Sequence, residues 1–279
     1  MLLYRKRWNL SSNKTDTMRV TKVMKELGMH EYRDVGVEIV GHVAVVEMQR
    51  PPYNYFNVEL MNTLGQIFED VDKDESLRAI VLAAQGTAFC AGADFNTPGG
   101  ASRDVYPAAA RLFATHKPTV AAIQGPAVGG GLGLALVADF RVAAPEARFA
   151  ANFVKLGIHP GFGLTHTLPR LIGVQKAALL MYTGRRLNGE QALAWGLVDE
   201  LVDQSQLRAA ALKLAGEIAE AAPLAVVSTR TTLRHGLFDA FRDQVRHESD
   251  EQTKLLATAD AREGVLAVTE RRPGRFIGA

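Results

Sequence analysis

The sequence is poor in cysteine and in net charge. Cys90 is the one cysteine among 279 residues, so no disulfide can form within the chain, which is typical of a reducing compartment such as the cytoplasm. The formal net charge is only +2 and the basic residues are spread along the chain, so no nucleic-acid-binding patch is indicated. His, Cys, Asp and Glu nowhere show the spacing of a metal site. A cytoplasmic globular protein without a bound metal is therefore expected.

The sequence also lacks a secretory signal and a clear membrane span. Its first residues are polar and basic and contain no apolar run of the secretory kind. We expect residues 1–30 to be a flexible extension, with Met18 as an alternative first residue. Residues 119–138 carry no charge and are long enough to cross a bilayer, but they contain five glycines and Pro126. This run indicates a buried strand, turn and helix, so no membrane association is expected.

Hydrophobic periodicity divides the rest of the chain into an α/β part and a helical part. Alternating residues on both sides of Gly41 predict a hairpin. Further strands are predicted over residues 79–84, 120–123, 139–143 and 148–154. Residues 60–71 show the periodicity of an amphipathic helix, and from Leu207 onward the pattern is helical to the end. We expect an α/β core over residues 31–205 and a helical region over residues 206–279.

Two glycine-bearing stretches carry the chemistry. Residues 125–139 hold three consecutive glycines, Gly129 to Gly131, that lead straight into an apolar helical pattern. Glycine lets a backbone approach a ligand closely, and a helix that begins after such a turn has N–H groups without intrahelical partners. The second stretch, residues 88–95, precedes it and ends in small residues followed by Asp94. Backbone donors of this kind predict a site for an anion or an oxyanion.

These stretches, together with several later motifs, resemble the crotonase (enoyl-CoA hydratase/isomerase) superfamily. The matching motifs are Phe89-Cys90-Ala91-Gly92-Ala93-Asp94-Phe95, Gly125 to Asp139, Leu156-Gly157-Ile158-His159-Pro160-Gly161-Phe162-Gly163, Leu171-Ile172-Gly173, Thr183-Gly184, Ala192 with Trp195-Gly196-Leu197-Val198, and Arg262-Glu263-Gly264. The resemblance covers roughly residues 35–275. It implies an α/β fold, a crotonase-like spiral of ββα units with a helical C-terminal trimerisation region, and an acyl-CoA thioester as substrate.

The resemblance also implies which residues act. The backbone N–H groups of Ala93 and Gly130 would form an oxyanion hole for a thioester enolate, and one such donor contributes about 3–4 kcal/mol to catalysis. Coenzyme A is expected as part of the substrate, with no separate cofactor. The residues implied at the substrate-binding site are Arg50, Ala91, Asp94, Gly129, Gly133, Phe153 and Arg275. The two arginines are expected near the CoA phosphates, with which guanidinium groups pair readily.

The sequence departs from the family where hydratases carry two glutamates. The aligned positions are Gly133 and Phe153, neither of which can transfer a proton. His159 is the leading replacement as acid or base, because imidazole titrates near neutral pH and this residue follows the expected acyl pocket along the chain. The alternative for His159 is a structural hydrogen bond within its turn. Cys90 is expected to be a small buried residue rather than a nucleophile.

Three functions remain open on the sequence. The leading one is an acyl-CoA lyase or isomerase of fatty acid metabolism that stabilises a thioester enolate. The alternatives are a CoA-binding pseudoenzyme without turnover, because both glutamates are missing, and a hydrolase or C–C-cleaving enzyme that uses His159. For each of them the resemblance implies a homotrimer or a dimer of trimers, assembled through the helices after residue 205.

Overall fold

Parallel strand pairing dominates the computed structural model, which describes residues 32–93 and 105–279. The larger sheet has the order β1-β2-β3-β4-β6-β9 and the smaller one the order β5-β7-β8. The strands are β1 (Val35–Val40), β2 (Val43–Met48), β3 (Ala79–Ala84), β4 (Thr119–Ile123), β5 (Pro126–Val128), β6 (Phe140–Ala143), β7 (Arg148–Ala150), β8 (Arg186–Asn188) and β9 (Glu200–Leu201). Only β1 with β2 and β7 with β8 pair antiparallel among these strands. The predicted α/β class and the hairpin around Gly41 are confirmed.

Helices connect the strands and form the last quarter of the chain, from Leu207 to Thr269. They are α1 (Val58–Lys73), α2 (Val105–Phe113), α3 (Gly130–Ala135), α4 (Leu164–Ile172), α5 (Val174–Thr183), α6 (Gly189–Trp195), α7 (Leu207–Glu220), α8 (Pro223–Leu233), α9 (Leu237–Leu256) and α10 (Ala259–Thr269), with a short 3-10 helix over Asn152–Leu156. The side chain of Asn57 caps α1 by accepting a hydrogen bond from the Leu60 N–H at 3.0 Å. The alanines of α7 recur every four residues and pack on the larger sheet, which buries one stripe of that helix.

The charge-free run over residues 119–138 folds as predicted into strand, turn and helix. It contains β4, β5 and α3, and every residue of β4 is buried. Its apolar character therefore reflects burial between neighbouring strands rather than contact with lipid. Among the described residues, the helices are too short or too polar to span a bilayer.

The structure corrects the expected course of the chain in two places. The strand expected over residues 148–154 ends at Ala150, and the 3-10 helix that follows is closed by Gly157, which has a φ of +69°. The final helix ends at Thr269, and the remaining residues run back along α10, where the Asp260 carboxylate accepts the Ile277 N–H at 2.7 Å. The first difference is a local turn and the second arises from tertiary hydrogen bonds, and hydrophobic periodicity reveals neither. The predicted extension over residues 1–30 lies outside the described residues.

Candidate active site

The glycine-rich turn has a backbone that only glycine adopts readily. Strand β5 ends at Val128, and Gly129 then takes φ +57° and ψ −125°. Its N–H donates to the Ala150 carbonyl at 2.8 Å, which ties the turn to β7. Helix α3 begins at the next residue, and no described residue accepts a hydrogen bond from the Gly130 N–H. This donor lies in the first turn of α3, where N–H groups have no intrahelical acceptor.

The second predicted stretch lies directly beside this turn. Cys90 donates its N–H to the Pro126 carbonyl and accepts the Val128 N–H, each at 3.0 Å. A Cβ at Gly131 would overlap the Cys90 carbonyl, so the two backbones approach as closely as a glycine permits. Three residues further on, Ala93 forms a parallel bridge with residue 56, and no described residue accepts its N–H. The structure thus brings together the two segments that carry the predicted donors.

The phenyl ring of Phe162 fills the space beside α3. A Cβ built on Gly133 would lie 2.6 Å from the Phe162 Cβ, and one built on Gly130 would lie 3.4 Å from its ring. The ring of Phe56 also packs on Gly130, 2.5 Å from the position of a Cβ there. The planes of the Phe56 and Phe162 rings make an angle of 59°. The inner wall of the turn is therefore aromatic.

Phe153 stands at the outer end of the same turn. Its ring lies 3.7 Å from the position of a Cβ on Gly129, and the Asn152 amide oxygen lies 3.5 Å from it. Both side chains come from the 3-10 helix, which lies beside Gly129, the residue before α3. Residues 133 and 153, a glycine and a phenylalanine, place no carboxylate on this side of the site.

The loop that carries Phe162 is held from its other side by a buried glutamate. Glu248 of α9 is fully buried, and its carboxylate accepts the Gly163 N–H at 2.6 Å and the Thr165 N–H at 2.9 Å. The Thr165 hydroxyl donates to it as well, at 2.5 Å. Burial raises the pKa of the Glu248 carboxyl to about 7, although these three hydrogen bonds oppose the rise. The carboxyl is therefore a clamp on the start of α4.

A second contact from α9 fixes the beginning of that loop. The Gln252 amide donates to the His159 carbonyl at 2.8 Å and accepts the hydroxyl hydrogen of Tyr106. Burial raises the pKa of the Tyr106 hydroxyl, and the charge of Glu248 adds to the rise, so the hydroxyl stays a donor. A Cβ on Gly161 would collide with both Tyr106 and Gln252, which explains the glycine there. Two side chains of α9 thus determine where the loop runs.

The ring of His159 lies on the α9 side of the loop. Its Nδ1 is 2.7 Å from the Pro160 carbonyl oxygen, and its ring meets that of His247 edge-on, with 6.2 Å between centroids. The hydrogen bond within the turn matches the structural alternative considered from the sequence. A role of His159 in proton transfer stays a prediction.

Arg50, expected near the CoA phosphates, is already paired within the protein. Its Nε donates to Asp34 at 2.8 Å and its Nη1 donates to the Asn57 side chain at 2.9 Å. The guanidinium therefore links the start of β1 to the cap of α1. Contact with a phosphate would use the remaining donor capacity of this group.

The other expected binding residues are dispersed. Ala91 is half-buried and donates its N–H to the Tyr53 carbonyl at 3.0 Å. Arg275 lies in the tail that folds on α10, and its N–H donates to Glu263 at 2.7 Å. Asp94 falls outside the described residues. The tail is thus anchored through its backbone at the position where the resemblance places CoA.

Neither the Cys90 thiol nor either of two cavities elsewhere in the described residues competes with this site. Burial raises the pKa of the Cys90 thiol to about 12, so no nucleophilic thiolate forms near neutral pH. A cavity of about 920 Å³ lies between α1, α2 and α9, and one of about 510 Å³ lies between α4 and α8. The lining of neither includes Ala93 or the turn from Gly129 to Gly133. Backbone donors, rather than cavity size, locate the candidate site.

The sequence and the fold of this chain are similar to those of known proteins. A family model described as enoyl-CoA hydratase/isomerase matches residues 38–278. The short-chain-enoyl-CoA hydratase of Clostridium acetobutylicum is 32% identical over 252 residues, which cover 87% of this chain and 97% of that protein. The 1,2-epoxyphenylacetyl-CoA isomerase of Escherichia coli is 32% identical over 249 residues, covering 85% of this chain and 95% of that one.

A solved structure agrees with the relatives. The crystal structure of an enoyl-CoA hydratase/isomerase from Pseudoalteromonas atlantica superposes with a TM-score of 0.80 and 31% identity, covering 88% of this chain and all of that one. The chain belongs to the enoyl-CoA hydratase/isomerase family and has the crotonase fold. It is an enzyme of that family, which acts on acyl-CoA thioesters.

The sequence did not reveal that the rings of Phe56 and Phe162 line the site, or that Glu248 holds the loop that carries Phe162. Phe162 stands between two glycines, and that contrast in size was the one available signal for it. Glu248 gave no local signal, because its partner Gly163 is 85 residues away along the chain. Phe56 lies in an irregular stretch before α1, and it reaches the site through its bridge to Ala93 and through ring contacts with Gly130 and Phe162.

Proposed function

We propose that this enzyme stabilises the enolate of an acyl-CoA thioester between the N–H groups of Ala93 and Gly130. Removal of an α-proton from a thioester puts negative charge on the carbonyl oxygen, and preorganised N–H donors in a dry site stabilise that charge. The observation that carries the proposal is the backbone pairing of the two segments, in which Cys90 is bonded both to Pro126 and to Val128. Family membership supplies the thioester substrate.

The proposed reaction is an isomerisation or lyase reaction that does not use the two-glutamate hydration mechanism. Gly133 and Phe153 offer no acid or base, and Phe162 makes the surroundings of Gly133 apolar. Named relatives include both a hydratase and an isomerase, so the family accommodates more than one outcome for an enolate. His159 is the proposed proton carrier in the hydrolase or C–C-cleaving version of this function.

The test is turnover of a panel of CoA thioesters by two variants at one position. The panel holds enoyl-, β-ketoacyl- and β-hydroxyacyl-CoAs. Gly130→Pro removes the N–H while proline remains acceptable at the first residue of a helix. We expect it to lower kcat by about 100-fold or more, the effect of losing one oxyanion donor. Gly130→Ala is the matched control, because it adds the same Cβ against Phe56 and keeps the donor. Equal losses in both variants would contradict the proposed role of the N–H.

A second candidate is a CoA-binding protein of this family without turnover. The observation in its favour is the pair of phenyl rings, from Phe153 and Phe162, that stand around the turn where a carboxylate would be needed. It predicts that calorimetry detects binding of CoA thioesters while the whole panel stays unconverted. Any reaction that is lost in Gly130→Pro and kept in Gly130→Ala excludes this candidate.

We also propose that the protein assembles into a trimer or a dimer of trimers. Helices α8 and α10 carry large apolar side chains that are exposed in the single chain, among them Leu224, Leu233, Leu266 and Val268. Sedimentation at micromolar concentration is expected to give three or six times the mass of one chain. A monomer at that concentration would contradict the assembly without affecting the proposed chemistry.

A further inference from the structure

Phe162 adopts a backbone conformation that a bulky residue rarely takes. Its φ is +61°, in the left-handed region, and it stands between Gly161 and Gly163. A phenylalanine in that region costs conformational free energy, which the surrounding structure must offset. The side chain is 1% exposed, so its packing supplies the offset.

The Phe162 ring fills the space that a side chain at position 133 would need. Gly133 is an ordinary residue of α3, where alanine would normally be the better helix former. Its Cβ would nevertheless lie 2.6 Å from the Phe162 Cβ and Cδ1 and 2.7 Å from Cγ. Contacts that short do not occur between real carbon atoms, so the phenyl group and a side chain at 133 exclude each other.

The ring is prevented from moving away. On the α9 side, Glu248 binds the Gly163 N–H, the next residue along the chain. On the inner side, the ring of Phe56 lies 5.5 Å from that of Phe162, centroid to centroid. The hydrogen bond from the loop to Glu248 and the contact with Phe56 therefore hold the Phe162 ring beside Gly130, whose N–H is one of the proposed oxyanion donors.

We propose that Phe162 is the specificity-determining residue of this site and closes the acyl pocket to thioesters with a branched acyl group. This inference rests on the proposed function, because it places the acyl group beside the Gly130 turn. In this arrangement the ring packed on Gly130 and Gly133 fills part of the space next to the thioester carbonyl with apolar atoms. An unbranched apolar acyl group fits such a space, whereas a methyl branch on the β-carbon meets the ring.

The experiment compares two thioesters that differ by one methyl branch, butyryl-CoA and isovaleryl-CoA. Dissociation constants are measured by calorimetry for wild type, for Phe162→Ala and for Phe68→Ala. Phe68 is also fully buried, on α1, and serves as a matched loss of a core phenyl group. Wild type is expected to prefer butyryl-CoA by about 10-fold, the typical discrimination for one methyl or methylene group in an apolar pocket.

Phe162→Ala is expected to abolish this preference, and Phe68→Ala to retain it. If wild type binds both thioesters and the preference is the same in all three proteins, the assignment of Phe162 is wrong while the proposed function stands. If neither thioester binds to wild type, the proposed function fails instead. Should Phe162→Ala not fold, Phe162→Leu is the substitute, with the preference reduced rather than abolished.

A double-mutant cycle tests the shared volume without any ligand. Gly133→Ala alone is expected to lower the urea midpoint of unfolding, because its Cβ has no room. In the Phe162→Ala background the same change is expected to raise the midpoint, because alanine favours the helix once the ring is gone. Additive shifts would show that the two positions do not compete, and would overturn the inference.

Discussion

The loop from Gly161 to Gly163 has two unlike sides. On the inner side, Phe162 and Phe56 pack on glycines of α3, and the Gly130 N–H has no acceptor among the described residues. On the outer side, Glu248 binds the loop through hydrogen bonds from three donors. A titratable carboxyl therefore lies close to the candidate site and serves to hold it.

The two sides of the loop use polar groups for different purposes. Backbone N–H donors face the candidate site on the inner side, and the Glu248 carboxylate holds the loop on the outer side. A dry aromatic surface strengthens the interaction of N–H donors with a developing oxyanion, since no water competes for the charge. A buried carboxylate costs free energy to desolvate, and it is tolerated where enough donors reach it. Changes on the inner side should therefore lower catalysis, changes on the outer side should lower stability, and changes in the distant tail should weaken binding only slightly.

The largest effect is expected from Gly131→Ala on the inner side. Its Cβ would overlap the Cys90 carbonyl, so the two donor segments must separate. We expect a loss of about 100-fold or more in kcat, comparable to the loss of an oxyanion donor, measured with any thioester that wild type converts.

Gly216→Ala is the control for this change. It lies in α7, and a Cβ there would meet no atom within 4 Å. Stability is expected to rise by up to about 1 kcal/mol, with kcat unchanged. A Gly131→Ala variant with wild-type kcat would mean that close contact of the segments is unnecessary for catalysis.

On the outer side, Glu248→Ala is expected to lower the free energy of unfolding by about 4 kcal/mol. The change leaves two backbone N–H groups and the Thr165 hydroxyl without their buried acceptor. Urea unfolding at pH 7 measures the loss. Asp243→Ala, an exposed acid of the same helix, is expected to stay within about 0.5 kcal/mol of wild type. Similar values for both variants would show that the clamp does not stabilise the fold.

The sequence predicted the helices, strands and turns around the candidate site better than it predicted the side chains that surround the site. Apolar periodicity placed α1 and β3, and the glycine run located the turn, because burial and backbone freedom both leave local marks. The same marks misplaced the end of β7, because Ala151 takes φ −102° and ψ +67° and the chain then enters the 3-10 helix.

Contacts between distant segments left no such mark. Nothing near Phe162 in the sequence shows that its ring fills the space of Gly133, 29 positions earlier by the residue numbers. His159 was favoured for catalysis because of its pKa range and its place along the chain. Its ring lies against His247, a contact that depends on the packing of α9. Local patterns therefore predicted the two glycine-bearing segments, whereas only packing revealed what surrounds them.

The pH dependence of stability gives a sharper test of the outer side. Because burial raises the Glu248 pKa from 4.5 to about 7, the folded protein binds a proton that the unfolded chain has released in this range. The stability associated with this group is present below the unfolded pKa and is lost as pH rises through the folded value. Between pH 4.5 and 7 wild type is expected to lose about 3 kcal/mol relative to Glu248→Gln, which has no proton to release.

Urea midpoints of both proteins across that range measure the difference. The Glu248→Gln change also removes one hydrogen-bond acceptor, so the variant is expected to be less stable than wild type. Only the difference in pH dependence therefore tests the titration of Glu248. Parallel curves for wild type and Glu248→Gln would show that the carboxyl stays ionised, with its three hydrogen bonds outweighing the cost of burial.

The smallest effect is expected in the tail, away from both sides of the loop. Arg275 is anchored by its backbone to Glu263, and the resemblance places its side chain near the CoA phosphates. Arg275→Ala keeps the backbone bond and is expected to weaken CoA binding by about threefold at low salt, the size of one exposed ion pair. Added salt should reduce the difference, since exposed charges are screened. Lys213→Ala, which removes an exposed charge from α7, is expected to leave the affinity unchanged. Equal effects of both changes would show that the tail contributes general charge and no particular phosphate contact.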